Sequence, residues 1–410
     1  MAQGNLNKEI IAPAEASGIA QAAFDVAEQA LPMTAVMPDR SNGGKTEATW
    51  TPNLTPMEAD TLGFRAWDSE TAYTHTEDLN QEMTAPLLPL TGRMPISERD
   101  VIGKLSNTTW MKDRASQILT TLGTRAALRM EIARVNALVD ARFSINDNGI
   151  HGVWDFKRAS SLNVTAAKSW SDPTADPVKD IQDWAKLVRA ENGGVPRAAM
   201  TTSAIIDALA VNPSVIALYT ARSKDNPARI PRDGVFQVLS QYAGLSDVRM
   251  ADLLYQDVCE KNGFLLPGGG TSLFPENTFV LLSSFNDQSL GYTLSGPTAE
   301  AVSDDYEIGK SENSGLIGAL FCSGQPVRYD VYVNGSGLPV LVHANSTLKA
   351  ALPAPSSREA IDARSIDPEP ENDPVQEDKK GNKDEGKPDT KDEGKSTARP
   401  DAKPGKGKDD

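Results

Sequence analysis

The stretch TTWMKDRASQILTTLGTRAALRMEIARVNALVDAR at residues 108–142 predicts one long helix, and this helix decides the fold. Apolar side chains recur in it at spacings of three and four, the repeat of an amphipathic helix. They are Met111, Ala115, Ile118, Leu122, Ala126, Met130, Ala133 and Ala137. At 1.5 Å per residue the helix would be about 50 Å long. Ser106, Asn107 and Thr108 are candidate caps at its start, and Gly123 is its weakest position.

Four arginines lie off this apolar stripe: Arg114, Arg125, Arg129 and Arg134. A nucleic-acid-binding face is one interpretation of this basic run. Acidic residues are interleaved with it, at Asp113, Glu131 and Asp140. We therefore expect the arginines to form ion pairs within or between subunits instead.

Two different segments precede the helix. Residues 1–45 carry apolar residues at roughly helical spacing from Ile10 to Ala30, which predicts one modest helix ending near Leu31-Pro32. Gly43-Gly44 then predicts a flexible joint. Residues 46–105 alternate strand-like pieces with turn signals and scattered aromatics. A ribbon of this kind has too little core to stand alone, so we expect it to lie on a neighbouring subunit.

The region 170–320 alternates predicted helices and strands and is expected to form a compact α/β domain. Predicted helices begin at Asp176-Pro177 and span Thr202–Val211 and Val235–Tyr242. Predicted strands span Val248–Tyr255, Thr278–Ser283 and Leu316–Cys322. Residues 326–343 predict a hairpin with its turn at Asn334-Gly335-Ser336-Gly337.

Residues 354–410 form a highly charged tail. They hold 16 acidic and 12 basic residues, and the pentapeptide Lys383–Lys387 recurs as Lys391–Lys395. Apolar residues almost vanish after Ile366. Such a segment cannot bury enough apolar surface to offset the entropy of ordering, so we expect it to be disordered.

The chain offers little for catalysis. Its three histidines, His75, His151 and His343, have no metal-ligand spacing, and Cys259 and Cys322 are expected to be buried thiols. The glycine-rich run 266–272 lacks the Gly-Lys-Ser/Thr ending of a phosphate loop. We interpret the acidic pairs Asp304-Asp305 and Asp176/Asp180 as solvated faces. We predict no catalytic, cofactor-binding or metal-binding residues, no cofactor and no membrane span.

The order of these parts resembles a known family. A leader, a strand-rich extension, a long helix, an α/β domain and returning strands resemble the Hong Kong 97-type fold of tailed-phage capsids. Local sequence is similar to the lambda-type E family of major capsid proteins over roughly residues 45–352. The similar stretches are Trp170–Ile181, Gly194-Val195-Pro196, Met200-Thr201-Thr202, Asn212–Val215, Phe274–Asn277, Gly296–Ala301 and Gly337–Val340.

The resemblance implies an α+β capsid fold with an N-terminal arm, an extended β-loop, a long spine helix, and peripheral and axial domains. The expected parts are 1–45 (arm), 46–105 (extended loop), 106–169 (peripheral domain with spine helix), 170–320 (axial domain), 321–353 (returning peripheral strands) and 354–410 (tail). Some relatives cross-link their shells through a lysine on the extended loop. This chain has no lysine between Thr46 and Gly103, so we expect no such cross-link.

The implied function is a virion structural protein, not an enzyme. Hexamers and pentamers of the chain would tile an icosahedral shell, assembled in the host cytoplasm, around double-stranded DNA. Scaffold, portal and decoration proteins are possible partners. A net charge of −15 disfavours a dedicated DNA binder but suits a container that binds no specific sequence. Two alternatives stay open: an encapsulin-like cellular compartment with a protein cargo, and an enzyme with its site in 170–320.

Overall fold

A computed structural model describes residues 4–52, 67, 70, 82–104, 107–147, 150–192, 194–220, 227–252, 272–308, 315–324 and 327–354. The chain divides into two units, Met1–Ser357 and Arg358–Asp410, and all the described residues belong to the first. Most of the predicted extended loop and tail lie outside the described residues, as do His75, Cys259 and nearly all of the glycine-rich run 266–272.

The helices of the described part are α1 (Pro13–Gln29), α2 (Glu98–Lys104), α3 (Thr108–Asp140), α4 (Pro177–Asn192), α5 (Ser203–Val211), α6 (Pro213–Tyr219), α7 (Arg232–Val238) and α8 (Ala299–Val302). The strands are β1 (Asn5–Leu6), β2 (Asp39–Ser41), β3 (Glu47–Trp50), β4 (Met83–Pro86), β5 (Leu88–Ile96), β6 (Arg142–Asp147), β7 (Ile150–Asp155), β8 (Asn163–Thr165), β9 (Ala198–Thr201), β10 (Asp247–Met250), β11 (Thr278–Leu282), β12 (Gly291–Ser295), β13 (Ile317–Gly324), β14 (Val327–Leu341) and β15 (Leu348–Ala351).

The long helix α3 is confirmed over 33 residues. Asn107 caps it, because its side chain accepts a hydrogen bond from the Trp110 backbone N–H at 3.0 Å. The predicted stripe is buried except for Met130, which is half-buried. Burial also extends around the helix towards its C-terminal end, where Val135, Leu138 and Val139 are enclosed too. The helix is therefore a central element and not a surface one.

The C-terminal end of α3 is held by Arg158, which the sequence analysis did not single out. Its side chain is almost fully buried and donates to the backbone oxygens of Leu138 and Val139, the latter at 3.0 Å. It also donates to Thr347 Oγ1 at 3.0 Å. A cation on the last carbonyls of a helix satisfies acceptors that have no partner within the helix. Burial lowers the pKa of Arg158 to about 10.

The strand β14 corrects the predicted hairpin at 326–343. It runs unbroken for 15 residues through Asn334–Gly337, and the actual hairpin joins β13 to β14 at residues 325–326. Gly335 and Gly337 serve close packing instead of a turn. A Cβ on Gly335 would lie 2.6 Å from Leu316 Cδ2, and one on Gly337 would lie 2.8 Å from Met130 Cε.

The largest sheet of the described part is built around β14. It pairs antiparallel with β13, β5 and β12, while β1 extends β13 and β2 runs parallel to β12. The strand β12 and the first residues of β13 fall within 170–320 in sequence, yet they pair in this sheet. The sheet packs against α1 and α3 around the buried residues Leu119, Leu320 and Val331.

The N-terminal helix α1 confirms the predicted helix and its end, but the predicted buried face was wrong. Val26 is 69% exposed, whereas Ala16 and Ala20 are fully buried. The reason is the short distance between backbones. A Cβ on Gly123 would lie 2.4 Å from the Ala20 oxygen, and one on Gly318 would lie 2.6 Å from the Ala16 oxygen. Only small residues fit such a crossing, so alanines form the contact face.

A second sheet carries the α/β region, with strand order β10-β9-β11-β15-β8. The predicted helices match α4, α5 and α7, but α6 was missed because Asn212-Pro213 both ends α5 and begins α6. Trp170 stacks on Trp184 at 5.6 Å between ring centroids and donates to Asp180 Oδ2 at 3.0 Å. The stretches quoted for the family resemblance thus include core and hydrogen-bonding positions of this domain.

Candidate functional site

The residues with chemical potential do not form a centre in the described part of the chain. His151 is exposed on β7, Cys322 is half-buried on β13, and no group of three or more His, Cys, Asp or Glu side chains there could hold a metal ion. His343 is half-buried, and burial lowers its pKa against the opposing effect of Asp287. None of the described helices is long and apolar enough to cross a membrane.

The acidic pairs have local structural contacts. Asp176 accepts the Lys179 backbone N–H at 3.2 Å near the start of α4, and Asp180 holds the Trp170 indole. Asp305 lies in a short 3₁₀ turn, where its backbone N–H donates to Ser303 at 3.4 Å. These contacts orient the backbone and an aromatic ring.

The most concentrated charge in the described interior surrounds Arg134 on α3. Its side chain is fully buried, and Nη2 lies 2.6 Å from Glu28 Oε1 and 2.7 Å from Asp39 Oδ1. Nε donates to Thr293 Oγ1 at 2.7 Å, and Nη1 donates to Thr34 Oγ1 at 3.2 Å. The guanidinium therefore joins α3, the end of α1, the following turn, β2 and β12.

A third carboxylate, Glu131, completes this Arg134 cluster from α3 itself. Its Oε1 accepts the Met33 backbone N–H at 2.9 Å, and its Oε2 lies 3.9 Å from Arg134 Nη1. Burial raises the pKa of Glu131 to about 7, against the Met33 hydrogen bond and Arg134. Burial and the adjacent Asp39 raise the pKa of Glu28 to about 9, while Arg134 opposes the shift. The cluster thus favours a proton on Glu28 near neutral pH.

The Arg134 cluster attaches the N-terminal segment to the body. Sequence reasoning expected the helix arginines to be paired, and Arg134 confirms this within the chain. It did not anticipate that Arg134 is buried. A usable signal was present, since Ala133, Val135, Ala137, Leu138 and Val139 surround Arg134 on every helical face. An arginine inside such a run is buried and requires carboxylate partners.

The short ribbon β3–β4 marks where the extended segment leaves the body. Ala48, Trp50 and Ala85 are buried, and the Trp50 ring lies 6.0 Å from that of Phe156. The base of the ribbon is therefore fixed in the core. Residues 53–66 and 71–81, which continue it, lie outside the described residues.

Several large apolar side chains are exposed. Trp67 is 97% exposed, Ile102 is 77% exposed on α2, and Val153 is 67% exposed on β7. Single exposed apolar residues are common on soluble proteins. A tryptophan wholly in water on a segment between two anchored strands is unusual, because its large apolar area is normally buried at least in part.

Comparisons with known proteins agree with this architecture. The family described as phage major capsid protein E matches residues 66–285, which is more than half of the chain. No curated protein matches significantly. A crystal structure titled as a prophage capsid protein of E. coli CFT073 is 16% identical, covers 86% of this chain and 100% of that chain, and has a TM-score of 0.51. A phage-related protein of Bordetella bronchiseptica RB50 is 12% identical, covering 85% and 97%, with a TM-score of 0.48.

The likeness to the E. coli prophage protein shows a shared fold. It confirms the predicted α+β architecture of the Hong Kong 97 type.

Proposed function

Because the chain belongs to the phage major capsid protein E family, we propose that it forms the wall of an icosahedral head built from its own hexamers and pentamers. The head would enclose the double-stranded DNA of a tailed phage. The family match over residues 66–285 carries this proposal. The role is structural, and we propose that the chain has no catalytic activity and needs no cofactor.

The physical character of the subunit supports assembly. A ribbon base fixed in the core leads into a segment bearing the exposed Trp67, and further apolar side chains are exposed on α2 and β7. Obligate interfaces between copies commonly bury more than about 2,000 Å² and are rich in apolar and aromatic residues. Contact with neighbouring copies would remove this surface from water.

We propose the following roles for the parts of the chain. Residues 1–45 are the N-terminal arm and 46–105 the extended loop that lies across a neighbour; 106–169 and 321–353 form the peripheral domain, 170–320 the axial domain, and 354–410 a disordered tail. The pairing of β12 and all of β13 with β14 supports including these two strands with the peripheral sheet.

We also propose the wider setting. Assembly takes place in the host cytoplasm, with a portal and, where needed, scaffold and decoration proteins as partners. The acidic chain holds DNA by enclosure and not by sequence-specific contacts, because its net charge of −15 repels phosphate overall.

Electron microscopy of the purified full chain, expressed alone, tests this function. We expect closed shells or curved sheets of hexameric and pentameric units. The nucleic-acid content of shells from phage-producing cells separates a viral head from a cellular compartment, since a head retains nuclease-protected DNA. Shells that hold only protein in such cells would contradict the viral role.

A further inference from the structure

A groove of about 560 Å³ opens between β5, α3 and the β6–β7 hairpin. Its apolar lining consists of Leu90, Leu122, Ala126, Ile145, Ile150 and Val333. Three arginines also line it, Arg93, Arg125 and Arg129, and none of the described residues around it is acidic. An apolar surface flanked by cations fits a partner that is both apolar and anionic.

The surroundings of the groove keep its positive charge. Arg93 forms an ion pair with Asp330 on β14, and Arg328 lies 3.2 Å from the same carboxylate. Two guanidinium groups therefore share one carboxylate that is only 3% exposed. Arg125 on α3 is exposed, and Arg129 one turn further on is half-buried. The groove thus presents a net positive charge to any molecule that enters it.

The chain itself contains a segment of matching chemistry. Residues 53–82 carry seven carboxylates, and Arg65 is their one cation. They also carry the aromatics Phe64, Trp67 and Tyr73. Trp67 is 97% exposed, so its own chain gives its ring almost no cover. The 32 residues between β3 and β4 could extend as a two-armed ribbon for about 50 Å, which is enough to reach a second copy.

We propose that residues 57–82 of one copy lie in this groove on a second copy. Their carboxylates meet Arg125 and Arg129, and an aromatic ring covers the apolar lining. This inference rests on the proposed shell and adds to it the surface that receives the segment and the charges that select it. DNA is a poorer occupant, because phosphate contacts make no use of an apolar lining and the chain as a whole is acidic.

Charge reversal in the full chain tests the pairing. We expect Arg125→Glu combined with Arg129→Glu to raise the protein concentration needed for assembly by about tenfold or more, because attraction becomes repulsion at both positions. Arg114→Glu is the matched control, since Arg114 is exposed on the same helix but does not line the groove. Its assembly should stay within about twofold of the wild type.

A rescue variant guards against misfolding. Adding Asp68→Lys and Glu70→Lys to the double arginine variant restores opposite charges and should recover most of the lost assembly. If the double arginine variant assembles at the wild-type concentration but loses retained DNA, the groove is a DNA contact and the proposal is wrong. Failure of the rescue in a variant with an unchanged circular-dichroism spectrum would also overturn it.

Photo-cross-linking locates the contact directly. A benzophenone amino acid replaces Trp67, and shells are formed from a mixture of isotopically light and heavy chains. We expect cross-links joining light to heavy chains, with the acceptor peptide in 88–96 or 118–129. Cross-links confined to one copy, or located elsewhere on the neighbour, would overturn this inference while leaving the shell itself intact. If the wild-type chain formed no shells at all, the proposed function would fail and this inference with it.

Discussion

At the scale of single residues, Arg134 explains how a loosely patterned N-terminal segment is held to the body. Three carboxylates, Glu28, Asp39 and Glu131, share one fully buried guanidinium. If all three were ionised, the buried cluster would carry a net negative charge, which is costly away from water. A proton on Glu28 reduces that charge. The attachment of residues 28–39 is therefore expected to depend on pH.

The raised pKa values determine the sign of this dependence. The folded chain retains protons on Glu28 and Glu131 up to about pH 9 and pH 7, whereas unfolded carboxyls release them at much lower pH. Stability is therefore highest at low pH for these two groups and falls as pH rises towards 9, by up to about 1.4 kcal/mol per unit for each group.

The Glu28→Gln variant tests this assignment, because glutamine is an uncharged analogue of the protonated acid. We expect its melting temperature to fall less between pH 6 and pH 9 than that of the wild type, measured by thermal unfolding below the assembly concentration. Glu15→Gln is the control, being exposed on the same helix and paired with Lys112. Equal slopes for the wild type and Glu28→Gln would show that Glu28 carries no proton near neutral pH.

Single residues also show where sequence reasoning stops. The cap Asn107 follows from local rules, because it needs only the helix that comes after it. The cluster around Arg134 does not, because Glu28, Asp39 and Thr293 come from elements far apart in the chain. Spacing along one helix cannot show which distant groups it meets. The same holds for Arg158, whose partners on α3 are about 20 residues away.

At the scale of elements, the crossing of α1 over α3 holds the first core together. Ser17 Oγ accepts the Gly318 backbone N–H at 3.0 Å, and Gln21 Oε1 accepts that of Leu316 at 2.7 Å. The helix therefore satisfies backbone groups of the sheet while its alanines contact Gly123. Covering a strand in this way also prevents unwanted pairing with other chains.

Two glycine substitutions are expected to change stability in opposite directions. Gly123→Ala should destabilise the chain by about 1–3 kcal/mol, because the new Cβ would lie 2.4 Å from the Ala20 oxygen. Gly18→Ala in α1 has nothing within 4 Å and should stabilise by up to about 1 kcal/mol through helix propensity. Urea unfolding of the two variants measures both changes. A stabilising Gly123→Ala would refute the close crossing.

The elements also show why some predictions succeeded and one was wrong. The helices α3, α4 and α5 follow from periodicity and from Asn or Pro at their ends, all of which are local signals. The sequence Asn334–Gly337 has the composition of a turn, but it lies inside β14 between three partner strands. Tertiary packing against Leu316 and Met130 requires the glycines there, and it overrides the local signal.

At the scale of the whole molecule, the extended segment provides a test of how the shell is held together. No lysine lies between Thr46 and Gly103, so a lysine-derived isopeptide bond through this segment cannot form. We expect shells boiled in detergent to run as a single band of subunit mass on a denaturing gel. Reduction should not change that band. A ladder of subunit multiples would show a covalent link that this account does not include.

The account as a whole depends on completion of each subunit by its neighbours. Sedimentation velocity of the purified full chain over a wide concentration range tests this most directly. We predict that hexamer-sized or larger species appear and grow with concentration until shell-sized particles dominate. A chain that sediments as a well-folded monomer at every concentration, in conditions where its melting transition is intact, would contradict the account.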